Sequence, residues 1–236
     1  RDRWLNKVPD WTVWSPTSSM MAMRFVCAQA AIHAQELESI DLRSAYLQAP
    51  LEKEEGEWYV LLDSNTQSGL TKEELQKRKD IEADGGVPVH RLHTSLYGRT
   101  KSGTTWVKNF LKFLESHGFK SSGFDHALWY LNIPNGKVWV AVYVDDMLAT
   151  GPVKELRDFW TLVRANYSVK ESSAGPTRKF IGVEFDKAHL PDRSVEINLS
   201  LKDYTKRICA RFLKHFAGHL RPKSAPSTLN LFEDLM

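Results

Sequence analysis

An α+β fold, with helices layered on an antiparallel sheet, is predicted by the order in which this 236-residue chain changes its apolar period. Helix-type and strand-type patterns run as helix, strand, helix, hairpin, helix, strands, helix, without the regular βαβ rhythm of a parallel sheet. One run, Val138-Trp-Val-Ala-Val-Tyr-Val144, is continuous, β-branched and aromatic, which reads as a buried strand. It breaks at Asp145-Asp146 and resumes as Met147-Leu148-Ala149 before Thr150-Gly151-Pro152. That pattern is a hairpin with two adjacent carboxylates at its turn, and an Asp-rich turn is its blandest reading.

The other elements are taken along the chain. Residues 11–16 read as an irregular, aromatic-anchored lead-in, and 18–34 as a helix rich in Met and Ala and largely buried. Leu37-Glu-Ser-Ile40 reads as a short strand ending in Asp41, with a turn after it. Residues 51–57 are acidic and exposed, and Trp58-Tyr-Val-Leu-Leu62 is a strand. Thr71-Lys-Glu-Glu74 has capping-box spacing, so a charged helix is expected over 71–83. Asp84-Gly-Gly-Val-Pro88 forces a turn before a short strand at 89–92. Thr104 or Thr105 is expected to cap a stronger helix with Trp106, Phe110, Phe113, Leu114 and His117 on one stripe and Gly118 as the stop. His117 there reads as a packed residue rather than a ligand. Leu156, Trp160, Val163 and Tyr167 fall at helical spacing over 153–167. Residues 180–185 and 194–199 read as paired strands joined by a Pro191-Asp192 turn, before a basic helix that turns Tyr204, Ile208, Phe212 and Phe216 inward. No internal repeat or low-complexity segment is present.

Composition sets outer bounds. Hydrophobic residues at 42% and charged residues at 26% are ordinary for a globular chain able to bury a core. Two cysteines, Cys27 and Cys209, provide no disulfide framework, which favours a reducing intracellular compartment. No apolar run is long enough to span a bilayer, so no membrane partner is expected. The first residues lack an initiator Met, as in a piece of a longer chain. A net charge of +3 decides nothing, but its distribution is uneven. Lys202, Lys206, Arg207, Arg211, Lys214, Arg221 and Lys223 face only Asp203 between 201 and 223. Such a patch neutralises phosphates, or is simply a solvated helix face.

Asp41 joins Asp145 and Asp146 as a third acid ending a short apolar strand. Carboxylates gathered at about 4 Å repel by roughly 4 kcal/mol at an effective dielectric near 20, so a cluster demands a cation, a shared proton or water. A small set of hard oxygens suits Mg²⁺, and two such ions can clamp the attacking and leaving oxygens of a phosphoryl transfer.

Several blocks in this order resemble the reverse transcriptase domain of copia-type LTR retrotransposons, from about Trp14 to Ser227. They are Trp14-Ser-Pro16, Asp41-Leu-Arg-Ser-Ala-Tyr46-Leu, Arg91-Leu-His-Thr-Ser-Leu-Tyr-Gly98 followed by Trp106, and Asp125-His-Ala-Leu-Trp ahead of Tyr143-Val-Asp-Asp146. Phe180-Ile-Gly-Val-Glu and Leu199-Ser-Leu-Lys-Asp-Tyr204 complete them. The resemblance implies a polymerase palm, an antiparallel sheet backed by helices, over 36–50 and 101–200. It implies partial fingers with the palm's approach over 1–35 and 51–100, and the start of a thumb over 201–236.

Carried onto this chain, the resemblance makes Asp41, Asp145 and Asp146 the catalytic carboxylates of an RNA-directed DNA polymerase. With the Leu42 carbonyl they would hold two Mg²⁺ ions, or Mn²⁺, while a primer 3′-hydroxyl attacks the α-phosphate of a deoxynucleoside triphosphate. Arg43, Ser44, Ala45, Tyr46 and Lys101 would receive that nucleotide, with Tyr46 excluding a ribose 2′-hydroxyl. Tyr143, Val144, Ile181, Gly182, Lys202, Lys206, Arg207 and Arg211 would touch the primer and an RNA or DNA template. The parent would be a retroelement polyprotein with RNase H and integrase, working in cytoplasmic virus-like particles or the nucleus.

The pattern departs from the family at three points. Lys101 stands where a Gln is expected, and a flexible ammonium does not reproduce an amide's donor and acceptor pair. The strands that carry the triphosphate-binding basic pair would lie before Arg1. The stretch 63–86 is long and lacks the usual Pro-rich approach. These departures imply an impaired polymerase, or a repurposed element that binds nucleic acid or protein without polymerising. A metal-dependent phosphatase or nuclease lacks a water-activating His or Glu cluster near the acids, and the His215/His219 pair is a poor zinc site.

Overall fold

The computed structural model describes residues 14–51, 56–191 and 194–215. A six-stranded antiparallel sheet organises it, built from β1 (Glu36–Asp41), β4 (Lys120–Ser121), β5 (Leu128–Ile133), β6 (Gly136–Tyr143), β7 (Asp146–Gly151) and β8 (Gly175–Pro176) in the order β4-β5-β6-β7-β1-β8. Two short strands, β2 (Tyr59–Val60) and β3 (His90–Arg91), pair with each other. A separate three-stranded sheet holds β9 (Lys179–Phe180), β10 (Val183–His189) and β11 (Val195–Ser200). The helices are α1 (Met20–Ile32), α2 (Lys72–Ala83), α3 (Ser102–Ser116), α4 (Val153–Asn166) and α5 (Lys202–His215), with one extra turn at Ser64–Gln67. The α+β class therefore holds.

Both faces of the large sheet are covered, which explains why β6 reads as a continuous apolar run rather than an alternating one. Val138, Val140 and Val142 point to the face packed by Trp106, Phe110 and Leu114 of α3 and by Leu156, Phe159, Trp160 and Val163 of α4. Trp139 and Ala141, one step out of phase, meet Ala22, Met23, Val26, Cys27 and Ala30 of α1 on the other face. Burial pushes the Cys27 thiol up to about 11, so it behaves as a small apolar side chain. Ser19 caps α1 by accepting from the Ala22 amide at 3.1 Å, and Thr71 and Glu74 form both halves of the expected capping box on α2.

Several expectations need correction. The helix placed behind a Thr104 or Thr105 cap begins at Ser102, with Lys101 at the capping position and no side-chain cap. Thr105 instead donates its hydroxyl back to the Lys101 carbonyl at 3.0 Å, the competing bond open to any helical Thr. His117 is exposed at the end of α3, its ring 4.6 Å from that of Phe113. The strand at 58–62 shrinks to Tyr59–Val60 because only β3 pairs with it. The strand at 180–185 is broken by a two-residue turn at Ile181-Gly182, with φ of 42° and 84°. Strand β5 was not expected, although its run Leu128-Trp-Tyr-Leu and the Pro134-Asn135 turn after it signal a hairpin.

The largest correction concerns α5. Tyr204 is 51% exposed, Ile208 49% and Phe212 41%, so this apolar stripe does not face inward. Phe216 lies outside the described residues, as do residues 11–13 of the lead-in, 52–55, the Asp192 half of the expected turn and His219. Among the described residues no helix is long and apolar enough to cross a membrane.

Candidate active site

Three carboxylates separated by about a hundred positions meet where β1, β6 and β7 end together. In the β1–β7 ladder Asp41 pairs directly with Asp146, and the Leu42 amide donates to the Asp145 carbonyl at 2.9 Å. Direct partners in an antiparallel pair project to one face about 5 Å apart, so two like charges there oppose each other. Asp146 also pairs with Tyr143 across the hairpin, leaving Val144-Asp145 as the loop. Asp146 is thus the first residue of the return strand rather than part of the turn.

The loop is strained. Val144 has φ of 57°, the left-handed region that a β-branched side chain rarely enters. Fully buried Trp106 donates its indole N–H to the Val144 carbonyl at 2.6 Å, and the Val144 side chain packs on the same core. The core therefore holds the tip in a shape it would not take alone.

Burial and mutual repulsion disturb the acids. Asp146 is pushed up to about 6, first by burial, then by the charges of Asp145 and Asp41. Asp145 also rises, chiefly through burial, with a backbone hydrogen bond working against it and Asp41 adding to the rise. Among the described residues one cation answers them: Lys170 Nζ lies 3.0 Å from Asp41 Oδ2. The hydrogen bond to Asp41 is the main reason the Lys170 ammonium is held above its ordinary range. Hard, poorly neutralised oxygens of this kind fit a divalent cation such as Mg²⁺. The acids are gathered but not closed, since no group of three or more His, Cys, Asp or Glu among the described residues encloses an ion-sized centre.

Beyond the acids, the chain turns through Ser44 in a left-handed conformation into a short 3₁₀ turn at Ala45–Gln48. Arg43 is tied back, its amide donating to the Ser168 carbonyl at 2.9 Å and its Nε to that of Val169 at 3.1 Å. Ala45 is buried, and Tyr46 is half-buried with its ring 4.7 Å from that of Tyr97. Both tyrosines are raised first by burial and then by the charge of Asp145. A Cβ added at Gly103 would lie 3.6 Å from the Tyr46 hydroxyl, so the start of α3 approaches this ring closely.

Tyr97 and Lys170 are the residues that sequence reading passed over. An aromatic directly before Gly98 was visible as a signal for the first, whereas nothing local marks Lys170. Lys101 is half-buried and, among the described residues, forms no ion pair with the three acids. Tyr143 is 37% exposed beside the tip. Ile181 and Gly182 sit in the β9–β10 turn. Lys202, Lys206, Arg207 and Arg211 are exposed along α5, which an ion pair of 3.9 Å between Lys179 and Asp203 ties to β9. Tyr143 pairs with Asp146 in the hairpin ladder, whereas among the described residues no hydrogen bond or ion pair joins Ile181, Gly182 or the α5 cations to the carboxylates.

A family model described as reverse transcriptase (RNA-dependent DNA polymerase) matches residues 6–218. The chain belongs to that reverse transcriptase family. Its relatives are of the copia-type retrotransposon kind. It is 25% identical over 229 residues to the retrovirus-related Pol polyprotein from transposon TNT 1-94 of Nicotiana tabacum, covering 92% of this chain and 16% of the polyprotein. It is 25% identical over 199 residues to the corresponding polyprotein from transposon RE2 of Arabidopsis thaliana, covering 84% of this chain and 12% of the polyprotein. A putative transposon Ty5-1 protein of Saccharomyces cerevisiae is 29% identical over 117 residues, covering 49% of this chain and 36% of its own length. The reverse transcriptase chain thus spans only a small part of the Pol polyproteins it matches. A structure of telomerase from Candida albicans in complex with the TWJ fragment of telomeric RNA gives a TM-score of 0.38 at 11% identity, over 90% of this chain and 40% of that one. That likeness is too slight to carry any argument.

Proposed function

We propose that this chain is the core of an RNA-directed DNA polymerase that extends a primer 3′-hydroxyl with deoxynucleoside triphosphates. The pairing of Asp41 with Asp146 on adjoining strands, with Asp145 in the loop beside them, carries the reading. The large sheet with α3 and α4 serves as the palm (36–50 and 101–200), α1 belongs to the partial fingers and palm approach (1–35), α5 begins the thumb (201–236), and the β2–β3 pair and α2 belong to the fingers (51–100). Asp41, Asp145 and the Leu42 carbonyl would hold both divalent ions, and Asp146 the one nearer the primer. Bound Mg²⁺ or Mn²⁺ supplies the positive charge that brings hydroxyl and α-phosphate together and takes up charge on the leaving pyrophosphate.

The protein's own share is positioning. Trp106 fixes the tip through the Val144 carbonyl, and the β1–β7 ladder fixes Asp41 against it. The turn from Ser44 to Tyr46 lies next to the acids, where backbone amides receive phosphates, with Lys101 at the start of α3 as a further hydrogen-bond donor to phosphate. Tyr46, braced by Tyr97, presents a ring where a ribose 2′-hydroxyl would collide. Tyr143, Val144 and the Ile181-Gly182 turn then border the primer, and Lys202, Lys206, Arg207 and Arg211 its phosphates. The template is RNA or DNA, and the relatives' Pol polyprotein names support a retroelement polyprotein as the parent.

Primer extension on an RNA template with Mg²⁺, compared with Asp145→Asn, tests this. Incorporation should fall on the order of 10³-fold, the scale of losing a preorganised charge at the transition state. Equal incorporation by the two proteins rejects the carboxylate role. Salt-sensitive binding of primer–template that ignores Asp41→Asn, with no incorporation, would establish the repurposed binder instead. Tyr46→Val should admit ribonucleotides, and unchanged sugar selectivity removes the ring from that role.

A further inference from the structure

The segment after α4 is stitched to the end of β1 on both sides of Asp41. The Lys170 amide donates to the Asp41 carbonyl at 2.8 Å, and the Asp41 amide donates to Ser173 Oγ at 3.2 Å. Ser173 Oγ in turn donates to the Lys170 carbonyl at 2.7 Å, and Leu42 bridges Val169. Ser168, Val169, Lys170 and Ser173 are thus tied to residues 41–43, and the Lys170 side chain starts from a fixed point beside the acids. Its ammonium lies 3.0 Å from Asp41 Oδ2 with 54% of the side chain exposed, against 23% for Asp41. No other cation forms an ion pair with the three carboxylates among the described residues.

We propose that Lys170 competes for Asp41 with the divalent ion that the acids hold, and yields Asp41 when that ion binds. The proposal rests on the reading that the acids hold such an ion. A divalent cation on Asp41 and an ammonium at 3 Å repel each other, so binding of one requires withdrawal of the other. Lysine suits this exchange: it is a strongly hydrated point charge on a flexible stem, already half in water. The anchored backbone keeps the displaced ammonium nearby, ready to return when the ion leaves. Lys170 therefore weakens cation binding by the free protein, and it relieves repulsion among acids that would otherwise stand uncompensated.

Binding of Mn²⁺ to the protein without nucleic acid, followed by the loss of the free-ion paramagnetic resonance signal, tests this apart from catalysis. Lys170→Met should bind Mn²⁺ about fivefold more tightly than wild type, the scale set by a partly exposed ion pair. Lys170→Arg, which keeps the charge, should not tighten it. Thermal unfolding of each variant confirms folding, and Lys170→Gln gives a second neutral side chain. Equal or weaker binding by both neutral variants, while wild type binds and Asp145→Asn binds less, overturns the Lys170 role and leaves the cation reading standing. Absence of Mn²⁺ binding in every protein overturns both.

Discussion

Strand β6 and helix α5 both carry apolar stripes, yet one is enclosed and the other is half exposed. Val138, Val140 and Val142 of β6 are almost wholly buried, whereas Ile208 and Phe212 of α5 stay 49% and 41% exposed. Both segments have the right period for their secondary structure. What separates them is the depth of packing: β6 lies between α1 on one face and α3 with α4 on the other, while the stripe of α5 stays about half exposed. The site's strain follows the same division. A left-handed valine persists at the hairpin because a packed indole holds its carbonyl.

The strongest way to break this contrast is Trp106→Ala. Removing a fully buried indole should cost about 3–5 kcal/mol in urea denaturation, as such truncations do. Trp106→Phe keeps most of the ring but orphans the Val144 carbonyl, so about 1–3 kcal/mol should go. Incorporation should then fall more than that loss of stability explains, because the acids lose their brace. A fully active Trp106→Phe protein would remove the indole from the site's architecture.

A matched pair of truncations comes next. Leu156→Ala on α4 empties a site that is 1% exposed and should cost about 2–5 kcal/mol. Ile208→Ala on α5 should change stability by less than about 0.5 kcal/mol. Similar losses from the two would mean that the α5 stripe is covered in solution.

These outcomes bear on how much could be read before coordinates. The hairpin was legible because a seven-residue apolar run, two acids and a second run leave little choice of structure, and the Thr71–Glu74 box fixed a helix start by local bonding alone. The direction of the α5 stripe was not legible, since the period states which residues share a face but not what lies opposite. The turn at Ile181-Gly182 hid inside an apolar sequence because isoleucine seldom takes a positive φ. Within the site, the three acids stood out by residue type and setting. Lys170 did not, because its importance arises from a fold that brings position 170 beside position 41.

Asp146→Asn sharpens the contrast by about 1 kcal/mol. An unfolded aspartate titrates near 3.9 and this one near 6, so between those values the folded protein keeps a proton that the unfolded chain has lost. Stability contributed by that proton is full below about pH 4 and is lost as pH rises through 6. Asn never ionises, so the variant should be more stable than wild type at pH 7.5 and equal to it near pH 4. The figure of about 1 kcal/mol already allows for solvent reaching this half-buried group. A variant less stable than wild type at pH 7.5 would mean that the carboxylate gains more from its neighbours than burial costs it.

Gly182→Ala should cost about 1 kcal/mol, and it probes backbone strain away from the core that holds Val144. Gly182 has φ of 84°, and an added Cβ would meet nothing within 4 Å, so any loss is conformational rather than steric. Asn tolerates the left-handed region better than Ala, and Gly182→Asn should therefore cost less. Ile181, the other left-handed residue of that turn, already bears strain and packs only partly against the second core cluster. If Ala and Asn cost the same, the left-handed preference of residue 182 does not set the loss.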